Sequence, residues 1–176
     1  MSRQKVALVI APENFRDEEL MVPMTTLNKA GFDTMIASSN TGSAKGMLGK
    51  VVIVQETIEK LSADDLAGLI VVGGSGSPKH LWDNKSLLDL ISKIYKQGKP
   101  VGAICISPPV LGRAGILKNK KVTVWKDEGA IADLKKNGAE YIGGECVVDG
   151  LIVTADGPTS AERFAGEMLK LLTSIR

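Results

Sequence analysis

The chain has 176 residues, which is long enough for one well-cored domain and too short for two full ones, so we expect a single domain over residues 1–176. Its 22 basic and 20 acidic residues are interspersed, which argues against a nucleic-acid or membrane partner. The N-terminal residues show no signal-peptide cleavage pattern, and no segment reaches the roughly 20 apolar residues of a membrane span, so we expect a cytoplasmic protein.

Short apolar runs alternate along the chain with amphipathic segments. The runs of strand length are 5–11, 33–38, 68–74 and 99–105. Continuous apolar runs of this kind are typical of strands buried on both faces of a parallel sheet. Apolar residues at helical spacing lie between the runs, first at Leu20, Met24 and Leu27 and then at Leu87, Ile91, Ile94 and Tyr95. Gly98 and Pro100 end the second of these predicted helices.

The C-terminal half adds a third helix and two hairpins. Thr159 and Glu162 have the spacing of a capping box, and they precede a stripe formed by Phe164, Met168, Leu171, Leu172 and Ile175. Residues 46–55 and 145–155 read as hairpins, the second turning at Asp149-Gly150. Together these elements predict an α/β three-layer sandwich with a mostly parallel central sheet and helices on both faces.

Ligands of such folds bind at the carboxyl ends of the strands, and three strand ends are informative. The first is followed by the acidic stretch PENFRDEEL, the next by GGSGS at 73–77, and a later one by Cys105. A thiol between a strand and a helix lies near the positive end of the helix dipole, so we expect a lowered pKa for Cys105. Cys146 lies in a hairpin pattern and is predicted to be structural.

Metal and cofactor chemistry find little support in the sequence. Two isolated cysteines and one histidine are too few for a zinc site or a disulfide framework, and no metal is expected. The glycine-rich loop lacks the Lys-Ser/Thr ending of a phosphate-binding loop, so we expect neither nucleotide nor any other cofactor. His80 is the single imidazole, and a lone histidine near a helix start is most often a surface residue; the alternatives are that it faces the site as an accessory base or faces a subunit boundary.

Several motifs together resemble the ThiJ/PfpI superfamily, which contains protease/amidase-like and deglycase members. They are Glu19 before an apolar helix, Gly73-Gly74 after the middle strand, AIC-x-x-P-x-x-L-x-x-AGILK at 103–118 and VVDGLIVTADGP at 147–158. The resemblance spans nearly the whole chain. It implies a flavodoxin-like fold of the class I glutamine amidotransferase-like type and assembly as a homo-oligomer, with the segment 77–82 and the first helix as candidate contacts.

The resemblance also implies a site. Cys105 takes the position of a nucleophile on a strand-helix elbow, and Glu19 takes that of the carboxyl that contacts the thiol. The backbone N–H groups of Gly74 and Ile106 match those of an oxyanion-hole-like pocket. Burial and the neighbouring thiolate raise a carboxyl pKa, so we expect Glu19 to hold a proton and donate a hydrogen bond to Cys105.

This chain departs from the protease-like pattern at four positions. Ile106 stands where those members have a histidine directly after the cysteine, and Lys79 stands where they carry a glutamate from a partner subunit. Arg16 replaces an acidic residue, and Trp125 replaces a loop histidine or tyrosine. Lys79 and Trp125 are therefore expected at an interface or in the pocket wall, with Trp125 a possible accessory residue.

Two function classes remain open. The first is a cysteine-dependent enzyme acting on a small carbonyl, acyl or peptide substrate, either protease/amidase-like or glyoxalase/deglycase-like. The missing histidine counts against efficient peptide hydrolysis. The second is a redox-responsive or chaperone-like stress protein in which Cys105 is oxidised to a sulfinate held by the same N–H groups and Glu19.

Overall fold

The computed structural model describes residues 3–175, and a seven-stranded sheet lies at its centre. Residues 1, 2 and 176, at the ends of the predicted domain, lie outside the described part. The strands in chain order are β1 Lys5–Val9, β2 Asp33–Ser38, β3 Gly42–Lys45, β4 Val51–Val54, β5 Glu56–Thr57, β6 Leu66–Val71, β7 Val101–Ile104, β8 Lys121–Val122, β9 Glu140–Tyr141, β10 Cys146–Asp149 and β11 Ile152–Ala155. The central sheet has the order β10-β11-β7-β6-β1-β2-β5, and every neighbouring pair in it is parallel except β10 with β11.

Helices cover both faces of this sheet. They are α1 Asp17–Lys29, α2 Ser77–His80, α3 Lys85–Lys96, α4 Pro108–Arg113, α5 Glu128–Lys136 and α6 Ala161–Ser174. Helices α1 and α6 pack together on one face, whereas α3, α4 and α5 cover the other. The predicted three-layer sandwich is therefore confirmed.

Alternation along the strands divides the interior into two apolar clusters. In β1, Val6 and Leu8 pack beneath α1 and α6, whereas Ala7 and Val9 pack toward α3. Successive side chains of a strand point to opposite faces, so a strand covered on both sides must be apolar throughout. This is why the four apolar runs of the sequence predict the central strands correctly.

Helix α1 brings an acidic first turn to the carboxyl end of β1. Asp17, Glu18 and Glu19 occupy that turn, where carboxylates interact favourably with the helix dipole. Pro23 lies inside the helix and has no N–H to offer to the carbonyl of Glu19. The helix begins at Asp17, two residues before Glu19.

The first predicted hairpin exists, but its strands differ from the prediction. Strands β3 and β4 pair in antiparallel fashion, and residues 46–50 form the turn between them instead of the first strand. Asp17 explains this turn, because its carboxylate accepts hydrogen bonds from the N–H groups of Leu48 and Lys50, both at 2.8 Å. The side chain that fixes the loop lies about 30 residues away in the sequence, so the local residue pattern could not predict this turn.

We expect Asp17→Ala to free the loop 46–50 and to lower the free energy of unfolding by about 1–3 kcal/mol, because two hydrogen bonds to a buried carboxylate are lost. Urea unfolding measures the stability, and hydrogen exchange of the Leu48 and Lys50 amides reports the loop. Asp17→Asn keeps one acceptor oxygen and should lie between wild type and Ala. Unchanged exchange at both amides in the Ala variant would contradict this role.

Two local predictions in the C-terminal part need correction. The capping box is wrong, because residues 158–160 form a 3₁₀ turn and α6 begins at Ala161 without a side-chain cap. The Ser160 hydroxyl instead donates to Asp156 Oδ1 at 2.6 Å. The second hairpin is confirmed, although its turn lies at Gly150-Leu151, one residue later than predicted. Phe164, Met168 and Leu172 of the predicted stripe are buried, whereas Ile175 follows the helix and is exposed.

Within residues 3–175, no helix combines the length and the apolar character that crossing a membrane requires.

Candidate functional site

A pocket of about 310 Å³ lies at the carboxyl ends of β6 and β7. Its wall includes Arg16, Gly74, Ser75, Cys105, Ile106 and Trp125. The parallel strands bring the segment before α1, the glycine loop and the cysteine to the same edge of the sheet, as the sequence predicts for this class of fold. Wider clefts of about 490 and 710 Å³ occur elsewhere, but neither is lined by a cysteine or a histidine.

Cys105 occupies a sharp turn directly after β7. Its φ of 63° lies in the left-handed region, which is unfavourable for a residue with a Cβ. The turn is held because the Cys105 N–H donates to the Ala155 carbonyl at 2.9 Å. Helix α4 begins three residues later, at Pro108, and has six residues. The backbone thus holds Cys105, which is partly buried, at the pocket wall.

Two backbone N–H groups, those of Gly74 and Ile106, lie close enough to the Cys105 sulfur to favour its thiolate form and lower its pKa. Each belongs to a peptide whose carbonyl is held on its other side. Arg16 N–H donates to the Gly73 carbonyl at 3.0 Å, and Trp125 N–H donates to the Cys105 carbonyl at 2.8 Å. In a trans peptide the N–H points away from the carbonyl, so these contacts aim both donors at the sulfur. Two N–H groups held in this way can stabilise a negative charge that develops beside the sulfur.

Glycine is required at both positions of the loop. A Cβ at Gly73 would lie 2.4 Å from Glu19 Oε2 and 2.5 Å from Cys105 Cβ, so the missing side chain leaves room for the carboxyl and the thiol to meet. Gly74 has φ +106°, and a Cβ there would lie 2.4 Å from the Arg16 nitrogen. The Gly-Gly pair therefore serves both the contact of Glu19 with Cys105 and the approach of the loop to Arg16.

A buried pair of serines links the two loops of the site. Ser107 Oγ donates to the Val72 carbonyl at 2.7 Å, and Ser77 Oγ lies 2.7 Å from Ser107 Oγ. Because the Ser107 proton is used, Ser77 must be the donor in the second contact. Neither serine is predicted to belong to the site, since nothing in the sequence shows that residues 77 and 107 meet.

Glu19 lies at the bottom of the site and is completely buried. Oε2 accepts a hydrogen bond from the Gly73 N–H at 2.9 Å. Oε1 is buried and makes no hydrogen bond within residues 3–175. A buried carboxyl oxygen without a partner favours the protonated form, because the ionised group loses its hydration.

The pKa values of Glu19 and Cys105 are both raised. Burial, more than any other cause, raises the pKa of Glu19 to about 8, as the sequence predicts in direction. Burial and then the charge of the Glu19 carboxylate raise the pKa of Cys105 to about 12, and the Gly74 and Ile106 N–H groups offset part of this. The prediction of a lowered pKa for Cys105 is therefore wrong. The short helix α4 does not offset the loss of water around the sulfur and the charge of the facing carboxylate.

Only one of the other predicted accessory or wall residues, Trp125, lines the Cys105 pocket, whereas His80 and Lys79 lie outside its lining. His80 lies against Glu13, with Nε2 at 3.1 Å from Oε1, and Lys79 approaches the same oxygen at 3.4 Å. Neither residue belongs to the lining of the Cys105 pocket. Trp125 is half exposed and forms one wall. Cys146 in β10 is half-buried, and burial raises its pKa to about 11.

Among residues 3–175, no group of three or more His, Cys, Asp or Glu side chains is arranged to hold a metal ion.

The model of the DJ-1/PfpI family matches residues 4–171 of this chain. The chain belongs to this family. The ThiJ/PfpI resemblance stated from the sequence motifs is thus confirmed. The DJ-1/PfpI relatives with curated names include deglycases, which makes this a family that contains enzymes.

Three comparisons show how closely the chain follows other family members. It is 45% identical over 172 residues to the uncharacterized protein MJ0967 of Methanocaldococcus jannaschii, covering 98% of this chain and 84% of that one. It is 33% identical over 165 residues to Deglycase PfpI of Pyrococcus furiosus, covering 94% and 98%. The structure of a ThiJ/PfpI domain protein from Brachyspira murdochii superposes with a TM-score of 0.93 at 27% identity, covering 99% of this chain and 100% of that one.

Proposed function

We propose that this protein is a cysteine-dependent enzyme that acts on small 2-oxoaldehydes, with Cys105 as the nucleophile and Glu19 as the group that moves protons. The observation that carries the proposal is the buried Glu19 carboxyl facing Cys105, at a sulfur whose thiolate form the Gly74 and Ile106 N–H groups favour. The deglycase names of relatives 30–33% identical support carbonyl chemistry of this kind.

The raised pKa values suggest how the thiol is activated. With a pKa of about 12, Cys105 keeps its proton at neutral pH, so it needs a base. The Glu19 carboxylate removes this proton as sulfur adds to the aldehyde carbon, and the carbonyl electron pair moves onto oxygen. The Gly74 and Ile106 N–H groups stabilise that oxyanion, and Glu19 then returns the proton to it. The product is a hemithioacetal, and Glu19 is again a carboxylate.

A 2-oxoaldehyde allows the reaction to continue with the same groups. Glu19 takes the proton from the former aldehyde carbon and gives it to the neighbouring carbonyl carbon, while the hydroxyl proton moves to the oxygen of that neighbouring carbonyl. The product is a thioester of a 2-hydroxy acid. Addition of water to the thioester releases the acid and regenerates the thiol. No electrons enter or leave overall, so this sequence needs no redox cofactor.

Peptide hydrolysis fits this site less well. Its leaving amine must be protonated beside the nucleophile, and an imidazole is the usual donor. Ile106 follows Cys105 directly, and His80 lies with Glu13 outside the pocket lining. We therefore assign the carbonyl reaction ahead of the protease or amidase reaction.

Intact-protein mass spectrometry tests the proposal against a purely redox role for Cys105. Wild-type protein incubated with methylglyoxal should form an adduct at Cys105 that disappears as 2-hydroxy acid accumulates. The same protein treated with peroxide serves as the comparison. Clean conversion of Cys105 to a sulfinate, without any turnover of methylglyoxal, would favour the redox-responsive stress protein and exclude the enzyme.

A further inference from the structure

The geometry points to a carboxylate-binding subsite beside Cys105, formed by the guanidinium of Arg16 and the backbone N–H of Ser75. It follows that the preferred substrates are 2-oxoaldehydes that themselves carry a carboxylate. The choice of 2-oxoaldehydes rests on the proposed function, whereas the anion subsite stands on the pocket itself.

Arg16 is fixed in the pocket wall by its own backbone. Its N–H donates to the Gly73 carbonyl at 3.0 Å, directly beside the peptide that aims the Gly74 N–H at the sulfur. The guanidinium is close enough to interact electrostatically with both Glu19 and Cys105. A positive charge thus lies next to the position where a substrate must react.

The guanidinium retains donors for a ligand. Nε and Nη2 donate to the two carboxylate oxygens of Glu18 at 2.8 and 3.1 Å, which leaves Nη1 without a hydrogen bond within residues 3–175. The side chains of this ion pair are 27% and 38% exposed, so water screens their attraction and Glu18 does not cancel the charge completely. Arginine presents its donors in a planar fork, which suits a carboxylate.

Ser75 supplies the second donor of the subsite. Its N–H donates to the thioether sulfur of Met47 at 3.3 Å, and both residues line the pocket. A thioether is a weak acceptor, so a carboxylate oxygen is a better partner for this N–H. Asp17 holds the backbone of the loop that carries Met47. A ligand that binds the Ser75 N–H therefore needs to displace only the Met47 side chain.

One negative charge in the wall opposes the inference. Asp127 also lines the pocket, but it is exposed and its carboxylate accepts a hydrogen bond from the Ala130 N–H at the start of α5. The helix N-terminus offsets part of its charge. The volume of about 310 Å³ lies at the lower end of ligand pockets, which suits a small carboxylate-bearing compound.

Alkylation by two reagents of nearly equal shape measures the subsite without any turnover. Iodoacetate and iodoacetamide both displace iodide to form the same type of thioether, but iodoacetate carries a carboxylate. We expect the ratio of their rates at Cys105 to exceed that of 2-mercaptoethanol, a neutral free thiol, by about tenfold, as a charge-assisted contact allows. Because both rates depend on the same thiol, its pKa cancels from the ratio.

Variants of Arg16 identify the source of the effect. Arg16→Gln should lower the ratio at Cys105 about tenfold, whereas Arg16→Lys keeps the charge and should lower it less than threefold. Arg163→Gln removes the same charge from an exposed position in α6 and should leave the ratio unchanged. Cys146 serves as an internal reference in wild type and in the Arg16 variants, but not in Arg163→Gln, because the charge of Arg163 acts on Cys146 itself. An equal ratio at Cys105 in wild type and Arg16→Gln, or a wild-type ratio equal to that of the free thiol, would overturn the subsite.

Turnover of a matched pair of five-carbon substrates completes the test. In wild type, kcat/KM for 4,5-dioxopentanoate should exceed that for neutral 2-oxopentanal by about tenfold, and Arg16→Gln should remove this preference. Equal kcat/KM values would overturn the proposed substrate class. If neither compound is consumed while the alkylation ratio still depends on Arg16, the proposed enzymatic function fails and the anion subsite is supported.

Discussion

Replacement of Cys105 by serine is expected to lower kcat/KM for methylglyoxal by about 10³-fold or more. A hydroxyl is far less acidic than a thiol, so the Glu19 carboxylate cannot remove its proton at a useful rate. Turnover is measured from the 2-hydroxy acid formed, together with the adduct mass on the protein. The substitution changes one atom, so the fold should remain intact by circular dichroism.

Cys146→Ser provides the matched control for this experiment. Cys146 lies in β10, and the lining of the Cys105 pocket does not include it. We expect its replacement to leave kcat/KM within about twofold of wild type. Loss of activity in Cys146→Ser, or full activity in Cys105→Ser, would show that the nucleophile has been assigned to the wrong cysteine.

The central sheet was accessible to prediction because its physics is local. A strand covered on both faces needs an unbroken apolar run, and the run at 33–38 predicts β2 to the residue. The end of α3 was also predictable, because glycine commonly follows a helix in the left-handed conformation, and Gly98 adopts it with a φ of 73°. The failure at Thr159 has a different origin. Its spacing to Glu162 satisfies a motif, but the Ser160 hydroxyl finds Asp156, and the chain takes a 3₁₀ turn first.

The positions of the candidate site could be inferred from the sequence, whereas its electrostatic environment could not. The family resemblance proposes Cys105, Glu19, Gly74 and Ile106, and the structure brings all four together. The direction of the Cys105 pKa could not be inferred, because it depends on how much water reaches the sulfur and on a carboxylate 86 residues earlier in the chain. The place of Met47 in the pocket could not be predicted for a similar reason, because its loop is held by Asp17, which is distant in the sequence.

A series of substitutions at Glu19 is expected to separate the two function classes, because they require different properties of this side chain. Turnover needs a group that accepts and returns a proton, whereas holding a sulfinate needs only a hydrogen-bond donor. Glu19→Gln keeps the donor and the shape, Glu19→Leu removes both polar functions, and Glu19→Asp keeps the acid with a shorter reach. Gln retains an oxygen that can accept from the Gly73 N–H, so its fold is the best protected.

For the enzyme, Glu19→Gln and Glu19→Leu should both lose about 10²- to 10⁴-fold in kcat, the usual contribution of a general acid or base. Glu19→Asp should retain part of the activity. For peroxide oxidation the order differs, and Gln should form the Cys105 sulfinate with nearly wild-type selectivity while Leu does not. A protein in which Gln keeps full turnover would not use Glu19 to transfer protons.

The pH dependence gives a further readout that a structural role of Glu19 would not produce. Because the pKa of Glu19 is raised to about 8, the carboxyl is protonated below that pH and cannot accept the thiol proton. Wild-type kcat/KM should therefore rise about tenfold for each pH unit below 8 and level off above it, and this step should be missing from the residual activity of Glu19→Gln.

The same substitution removes the negative charge that helps to raise the pKa of Cys105, so iodoacetamide should label Cys105 faster in Glu19→Gln than in wild type at pH values above 8. Faster alkylation of Glu19→Gln combined with slower turnover would establish that Glu19 transfers the proton and does not act by making the thiol more nucleophilic. Slower alkylation together with slower turnover would mean that the carboxyl stabilises the thiolate and that the proposed proton transfer is wrong.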